Sequence, residues 1–426
     1  MLGQTWIIPL MCGEAPWMTG KEPRMGLDLA ALSRQVRELS GAAVRTAASA
    51  AQRAARARER YLAAAGEEGR WTRAVDLSRD TANWLLARPV ERLDTVRDLP
   101  ACPPAYAVVA TDGSQIDLDR HGSVACYLIN IGHVFIRYGQ RPAARLGSRP
   151  ALYYREEDLY LSDGARRVLI EGNYLSARRD VEEGLALADL AETFLDGALP
   201  ALALQDGTLV RWALAGAERF VQERFLGQYL GYLERMRARG IPTASYISRP
   251  RSPEVVGAIR LMFCPDVDVA ASRGARCAEC SDVRVGREPS CALCQGLVDA
   301  DVLGPRLAEG QRGPLFVSMS TINIERYGPH CIHFFHLRVG REVCRVEIPQ
   351  WVASAPEQVD LVHSLVYDQC LRGGGYPVAL ARAHEQAVIR AADRRAFERM
   401  LESSLARAEA DGAISAKRES KEFTRL

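Results

Sequence analysis

Two aspartates in this chain follow apolar runs and precede a glycine and a hydroxyl residue. Asp112 ends the run AYAVVAT and is followed by glycine and serine, and Asp206 ends ALALQ and is followed by glycine and threonine. Each run is typical of a buried strand, and the glycine lets the backbone turn tightly beside a ligand. Catalytic pairs of Mg²⁺ or Mn²⁺ ions need carboxylates from separate elements. The repeat predicts a divalent metal site shared by two strand ends, although a single Asp-Gly is also a common turn dipeptide.

A third carboxylate lies on the helix predicted between these strands, over residues 176–197, with Ser176 as its cap and Gly197 as its stop. Glu183 shares one helical face with three apolar residues, Leu187, Leu190 and Phe194. A carboxylate on a buried stripe is costly unless it is paired or bound to a cation, so Glu183 is a candidate ligand. Glu182 lies one residue further round and is expected to be solvated. Equally, both glutamates could simply occupy the first turn, where the helix dipole favours them.

Two arginines follow the next predicted strand, TASYIS. Arg249 and Arg251 lie just beyond its end, where a guanidinium could clamp a phosphate group. They also fit the description of ordinary surface arginines.

Further candidates lie near the C-terminus, where three glycines precede a predicted long helix that starts at Pro377. Tyr376 lies at the mouth of this helix. His384 shares a face with Leu380 and Val388 and is therefore expected to point inward. A neutral imidazole can bind Mn²⁺ or carry a proton, so His384 is a candidate for either role.

Four cysteines form two CxxC pairs within residues 274–297. Cys277 and Cys280 are separated by ten residues from Cys291 and Cys294. Four thiolates at this spacing complete a tetrahedral Zn²⁺ site that has no open position for water. The pattern predicts a small module with structural zinc and argues against catalytic zinc.

The composition is that of a globular protein and limits the class of partner. The chain has 426 residues, of which 48% are apolar and 25% charged, and its net charge is +2. Any affinity for nucleic acid must therefore come from local basic patches. No apolar run reaches the roughly 20 residues that span a bilayer, so no membrane association is expected. The eleven cysteines, with two tight pairs, favour metal-binding thiols in the cytoplasm over secreted disulfides.

Taken in order, six stretches of the chain resemble the NurA family of DNA-repair nucleases. They are Asp112-Gly-Ser-Gln, Glu183 in an arginine-rich helix, Asp206-Gly-Thr-Leu, YISRPRS, RVEIPQWV and Tyr376-Pro followed by Ala-His384-Glu. The resemblance runs from about Val108 to Ile389.

The resemblance implies a fold, an activity and partners. The implied fold class is α/β, with an RNase H-like mixed sheet, flanking helices and long terminal helices. The implied activity is a manganese-dependent 5′-to-3′ DNA exonuclease, often with single-strand endonuclease activity, that holds two Mn²⁺ (or Mg²⁺) ions. Family members look like homodimers docked on a HerA-type hexameric ATPase. Carried over to this sequence, the site is formed by Asp112, Glu183, Asp206, Tyr376 and His384.

The predicted chain organisation has five parts. They are residues 1–24, a disordered or mis-annotated start; 25–100, a helical region; 101–389, the nuclease-like domain; 274–297, the zinc module inserted in it; and 390–426, a C-terminal helix and basic tail.

The predicted mechanism is two-metal phosphodiester hydrolysis, with Arg249 neutralising the phosphate. Two alternatives are another RNase H-like endonuclease or resolvase, and a non-catalytic DNA-binding adaptor of a motor ATPase.

Overall fold

The computed structural model describes residues 29–118 and 124–423. The predicted start, residues 1–24, lies outside the described residues. The chain divides into two compact units, residues 1–52 and 53–426. In the first unit the described residues form the beginning of helix α1 (Leu29–Ala63). This helix confirms the helical pattern predicted for that part of the sequence.

The second unit contains the sheet that carries the predicted strand ends. Its strands in chain order are β1 (Ala87–Pro89), β2 (Tyr106–Ile116), β3 (Tyr127–Tyr138), β4 (Ala143–Tyr153), β5 (Tyr160–Ser162), β6 (Arg167–Leu169), β7 (Ala201–Asp206), β8 (Thr243–Ile247), β9 (Phe316–Ser318), β10 (Ile332–Val339) and β11 (Glu342–Pro349). Within the described residues, nine of these strands form one mixed sheet in the order β1-β9-β10-β11-β8-β7-β2-β3-β4, and β5 pairs with β6.

Strand direction within this sheet changes at β2 and again beyond β8. Strands β2, β3 and β4 form an antiparallel meander, whereas β2, β7 and β8 run parallel to one another. Strand β11 then pairs antiparallel with β8, and β10 pairs antiparallel with β11. The carboxyl ends of β2 and β7 therefore point the same way.

The helices cover both faces of the sheet. They are α2 (Glu68–Ser78), α3 (Glu156–Leu159), α4 (Asn173–Phe194), α5 (Arg219–Ala238), α6 (Glu254–Phe263), α7 (Ser281–Arg284), α8 (Asp299–Leu303), α9 (Thr321–Arg326), α10 (Gln350–Ala353), α11 (Pro356–Arg372), α12 (Val378–Ala387) and α13 (Ala391–Phe423). Helices α4 and α5 pack on one face, and α11 and α12 pack on the other. No helix of the described residues is both long and apolar enough to cross a membrane.

Strand β2 is apolar at successive positions because both of its faces are buried. Val109 packs in the core beneath α4 and α5, while Val108 and Ala110 pack in the core beneath α11 and α12. This two-sided burial explains the unbroken run before Asp112 in the sequence.

Four predicted element boundaries are wrong. Helix α4 begins at Asn173 after Gly172, whose φ is +53°, so Ser176 lies inside the first turn and does not cap the helix. The strand expected to end at Asp112 continues to Ile116, because it stays paired with β3 over that length. The segment AVDLSRDTANWLLA, residues 74–87, has a helical pattern in the sequence but is helical only as far as Ser78. The long C-terminal helix is broken at residues 388–390 into α12 and α13.

Candidate active site

The three predicted carboxylates line one cavity beside the carboxyl end of β7. Thr111 pairs with Gln205 across the parallel strands β2 and β7, so the next residues, Asp112 and Asp206, are neighbours. The cavity has a volume of about 310 Å³ and is lined by both aspartates and by Glu183 of α4. Crevices at the carboxyl ends of parallel strands are common ligand sites. The parallel pairing of two separate segments therefore brings the predicted acidic residues together.

The two Asp-Gly pairs hold their carboxylates alike but differ in backbone structure. The turn predicted at Asp112 is wrong, because β2 continues through Gly113 to Ile116 in its pairing with β3, whereas β7 ends at Asp206 and Gly207 turns the chain with φ +75°. The amide of Gly113 donates to Asp112 Oδ1 over 2.9 Å, and the amide of Gly207 donates to Asp206 Oδ1 over 2.9 Å. In each aspartate one carboxylate oxygen is held by the backbone, which leaves the other to face the cavity or a partner.

His384 of α12 is the partner of Asp112. Its Nδ1 lies 2.7 Å from Asp112 Oδ2. The imidazole is 66% exposed, so the expectation that it points inward into the core is wrong. Helix α12 packs its alanines on the sheet, and the histidine lies on the adjoining exposed side of the helix, where it reaches Asp112 within β2. An Nδ1–H that donates to the carboxylate would leave Nε2 facing outward.

The position of His384 depends on polar groups of β2 and β3 that sequence reasoning missed. Ser114 Oγ donates to the carbonyl of Ala387 over 2.5 Å, and Asn130 Nδ2 donates to the same carbonyl over 2.8 Å. A Cβ added at Gly132 of β3 would collide with the backbone of Ala383 and Ala387. A glycine in a strand can mark such a close backbone approach, but nothing local identifies the helix that approaches.

Tyr376 contacts the second aspartate. Its hydroxyl is hydrogen-bonded to Asp206, and its pKa lies well above the usual range because the phenol is desolvated and faces this carboxylate. The pKa of Asp206 is also raised, by desolvation at the strand end and by the charge of Asp112, which outweigh the hydrogen bond from Tyr376. Tyr376 therefore belongs to the same site as both aspartates.

Glu183 is buried, with 8% of its surface exposed. Arg179 Nε donates to its Oε1 over 3.1 Å, and Thr111 of β2 donates to its main-chain oxygen over 3.0 Å. Burial and the charge of Asp180 raise the pKa of Glu183 to about 8 despite the opposing effect of Arg179. This carboxylate therefore needs more positive charge than the protein provides. Glu182, expected to be solvated, is half-buried and pairs with Arg178 over 3.1 Å.

The cavity wall contains charged residues that were not predicted from the sequence. Arg179, Asp180 and Arg211 line it together with the carboxylates. Arg211 is buried, pairs with Asp180 over 2.7 Å and lies 4.5 Å from the centre of the Tyr229 ring. The charge run RRDVEE was the available signal, but such a run is more often a solvated helix face.

The turn after Asp206 is held by a buried glutamate of β11. Glu347 Oε2 accepts hydrogen bonds from Thr208 Oγ1 over 3.0 Å and from the amide of Leu209 over 2.7 Å. Its other oxygen accepts a bond from Arg345 Nε over 2.8 Å. The RVEIPQWV segment thus contributes two buried charges that fix the chain next to Asp206.

The two arginines predicted to bind phosphate do not line the acidic cavity. Arg249 lines a neighbouring cavity of about 570 Å³ that also includes Tyr376. Arg251 is exposed and lines neither cavity.

The four predicted zinc ligands come from two short turns in one region of the chain. Cys277 lies in a 3₁₀ turn with Cys280 directly after it, and Cys291 and Cys294 lie in a second turn, Ser290–Cys294. The pKa of Cys291 is raised mainly by burial of its thiol. The thiols of Cys277 and Cys280 lie close enough to raise it further. Across residues 29–118 and 124–423, no three His, Cys, Asp or Glu side chains are arranged closely enough to hold a metal ion. The zinc module therefore stays a prediction.

The donor set of the acidic cavity suits a hard divalent cation. Asp112, Glu183 and Asp206 offer carboxylate oxygens and His384 offers a ring nitrogen, which are ligands that Mn²⁺ accepts. The raised pKa of the buried Glu183 fits a position where a cation would replace its proton. These residues would hold the ion. Among the described residues no three such side chains are close enough to hold a metal as they stand, so side-chain movements would have to bring them together.

We expect Glu183→Gln to remove part of the pH dependence of stability in metal-free protein. The pKa of this carboxyl is about 8 in the folded protein against an ordinary value of 4.5, so the folded state keeps a proton that the unfolded chain releases. Wild-type stability should therefore fall as the pH rises between these values, whereas glutamine stays neutral. Thermal unfolding in EDTA across this range measures the difference, with Glu182→Gln as the matched control. If the unfolding temperatures of wild type and Glu183→Gln changed in parallel with pH, the raised pKa of Glu183 would be contradicted.

A family model described as NurA domain matches residues 106–389, which is more than half of the chain. No curated protein matches the chain in a sequence comparison. The matched range includes all five predicted site residues and both strands that carry the aspartates.

Proposed function

Because the chain belongs to the NurA family, a family of nucleases that act on DNA, we propose that it is a metal-dependent DNA nuclease with 5′-to-3′ exonuclease and single-strand endonuclease activity. The observation that carries this proposal is the pairing of β2 with β7, which brings Asp112 and Asp206 into one cavity with Glu183. Two Mn²⁺ or Mg²⁺ ions are the proposed cofactors.

The strand order supports an RNase H-like core. An antiparallel meander, β2 to β4, is followed by helix α4, parallel strand β7, helix α5 and parallel strand β8. The aspartates come from the first strand of the meander and the first parallel strand after it. An acidic site between these two strands is what the proposed fold requires.

Divalent ions bound here would supply an activated water and a positive charge for the leaving 3′ oxygen. The protein's own side chains have separate tasks. Asp112 orients the imidazole of His384, which then holds or moves a proton at Nε2. Tyr376 fixes Asp206 through its hydroxyl, and Glu347 fixes the turn that follows. Arg179, beside Glu183, limits the repulsion among the carboxylates before a ligand binds.

The test is digestion of oligonucleotides that carry a label at either the 5′ or the 3′ end, with Mn²⁺, with Mg²⁺ and in EDTA. A 5′-to-3′ exonuclease releases the 5′ label at once in short products and shortens 3′-labelled strands progressively. Cuts at internal positions from the earliest time points would favour another RNase H-like endonuclease or resolvase. DNA binding without cleavage under any metal condition would favour the adaptor.

We propose that the enzyme is a cytoplasmic homodimer that works with a HerA-type hexameric ATPase. This part of the proposal rests on the family alone. Light scattering of the purified protein measures the dimer, and co-purification with a HerA-type ATPase encoded in the same genome measures the partner. If the ATPase did not co-purify, the proposed partner would be withdrawn and the nuclease proposal would stand.

We expect the purified protein to contain one structural Zn²⁺ per chain, and Cys291→Ser to lose it. The spacing of the two CxxC pairs and the nearness of Cys291 to Cys277 and Cys280 support the site. Metal analysis of the protein and the visible absorption of a Co²⁺-substituted sample report the four-thiolate environment. Cys102→Ser, at an exposed cysteine of the proline-rich linker, is the control. Equal zinc content in both variants would rule out the module.

A further inference from the structure

A second cavity adjoins the acidic site through a single side chain. The ring of Tyr376 lines this cavity of about 570 Å³, while its hydroxyl bonds Asp206 in the acidic site. The ring also packs edge-on against Tyr246, with 5.4 Å between ring centres. A ligand that fills the second cavity therefore lies next to the carboxylates.

Two arginines without carboxylate partners border this cavity. Most arginines near the acidic site are paired, as Arg179 is with Glu183 and Arg211 with Asp180. Among the described residues, no acidic group forms an ion pair with the guanidinium of Arg249 or of Arg341, the two arginines that line the cavity. Both side chains are exposed, so they are available to an anion from solution.

The backbone at Arg249 is held in a conformation that its residue type disfavours. Its φ is +44°, and its amide donates to Glu342 Oε1 over 2.5 Å. A non-glycine residue in this region costs free energy and persists where the surroundings enforce it, often at ligand clamps. Among the described residues that line this cavity, Glu342 carries the one carboxylate. One of its oxygens is engaged with the backbone, and the two arginines outnumber it.

Two glycines give a ligand close access to part of this wall. Gly374 and Gly375 border the cavity with φ values of +68° and +113°, and a Cβ added at either would meet no atom within 4 Å. Their amides already donate to carbonyl groups at the end of α11, so the glycines contribute space and the arginines contribute the donors. Unpaired guanidiniums beside such an accessible surface suit a phosphodiester more than a purely apolar ligand.

The larger cavity of about 750 Å³ on the other side of Trp212 is a weaker candidate for phosphate. Its arginine, Arg167, is paired with Glu156 over 2.5 Å and stacked 3.7 Å from the centre of the Tyr160 ring. Its guanidinium is therefore already occupied.

From these contacts we infer that the cavity between Arg249, Arg341 and Tyr376 is a binding subsite for the single-stranded DNA segment that adjoins the cleaved phosphate. The inference rests on the proposed nuclease function and adds Arg341 to the groups that hold the substrate. Arg249 and Arg341 bind successive phosphates of the strand, and Tyr376 marks the passage from this subsite to the carboxylates. Binding here positions the strand and carries no sequence information.

The test is the salt dependence of DNA binding by Arg341→Gln and Arg249→Gln. Fluorescence anisotropy with labelled oligothymidylate in EDTA measures Kd over a range of NaCl concentrations without cleavage. Each lost phosphate contact should reduce the slope of log K against log salt by about 0.7, and each variant should bind roughly tenfold more weakly at low salt. In cleavage assays with metal, KM should rise much more than kcat falls, because the contact holds substrate and transition state alike.

The matched control is Arg224→Gln, at an exposed arginine of α5 that forms no ion pair with any residue in the described part of the chain, and it should bind like wild type. The subsite would be overturned if Arg249→Gln and Arg341→Gln both kept the wild-type salt slope. It would also be overturned if their loss of DNA affinity were no larger than that of Arg224→Gln. Asp112→Asn separates this inference from the proposed function, because it should lose cleavage while keeping the wild-type salt slope. A wild-type protein that binds DNA through these arginines but never cuts it would sink the nuclease proposal alone.

Discussion

Asp112→Asn is expected to reduce the rate of DNA cleavage by about 10³-fold or more while the protein stays folded. The two side chains have the same shape, and the asparagine oxygen can still accept the amide of Gly113. What is lost is the negative charge that faces His384 and that, in the proposed mechanism, would bind a divalent ion. Bound metal contributes several kcal/mol of transition-state stabilisation, and each 1.4 kcal/mol is a factor of ten in rate.

The control for this variant is Asp117→Asn, an exposed aspartate just beyond the end of the same strand. Its carboxylate accepts a hydrogen bond from Gln115 and lies outside the acidic cavity. Cleavage by Asp117→Asn should stay close to wild type, and the thermal unfolding curves of both variants should match it. An Asp112→Asn protein that cuts at the wild-type rate would show that hydrolysis takes place elsewhere.

Arg345→Met is expected to lower the free energy of unfolding by about 3–5 kcal/mol, the usual cost of breaking a buried ion pair from one side. Arg345 is 1% exposed and bonds both Glu347 and Glu254, which are as deeply buried. Its guanidinium also lies 3.6 Å from the centre of the Phe334 ring. Methionine fills much of the same space but leaves two buried carboxylates without a cation.

Denaturant unfolding of wild type, Arg345→Met and Arg219→Met measures this effect. Arg219 forms an exposed ion pair with Glu223, so its loss should change stability little. Replacing both carboxylates as well, by Glu254→Gln and Glu347→Gln, should restore part of the stability because fewer buried charges are left unpaired, although the buried Asp299 still lacks the nearby guanidinium. If Arg345→Met alone were as stable as Arg219→Met, the buried ion pairs of Arg345 would not stabilise the fold.

The same network links stability to the acidic site. Glu347 holds Thr208 and Leu209, the residues that follow the Asp206 turn. Loss of the Glu347 side chain should therefore loosen the turn after Asp206 in addition to destabilising the fold. In the sequence, RVEIPQWV is recognisable only as a strand that carries two charges, Arg345 and Glu347. Their partners lie far away in the chain, on α6 and in the turn after β7.

Local patterns sufficed wherever one element determined its own structure. The apolar run before Asp112 predicted the buried strand β2, and the Asp206-Gly207 pair predicted the turn that follows β7. The same motif at Asp112-Gly113 predicted a turn wrongly, because pairing with β3 keeps that segment extended to Ile116. The spacing of Glu183 against apolar residues predicted a buried carboxylate. Such patterns are readable because periodicity and turn chemistry depend on neighbours a few residues away.

Long-range pairing decided the rest. The break after α12 and the exposed position of His384 follow from how that helix docks on Gly132, Ser114 and Asn130, which are remote in the chain. Arg211 and Glu347 became part of the site because their elements pack beside it. By itself the sequence determined which two buried strands carry an aspartate next to a glycine. Only the tertiary structure decided that these strands pair, that β2 continues past its aspartate while β7 ends at its own, and which charges surround both, because contacts between distant segments leave no local period in the sequence.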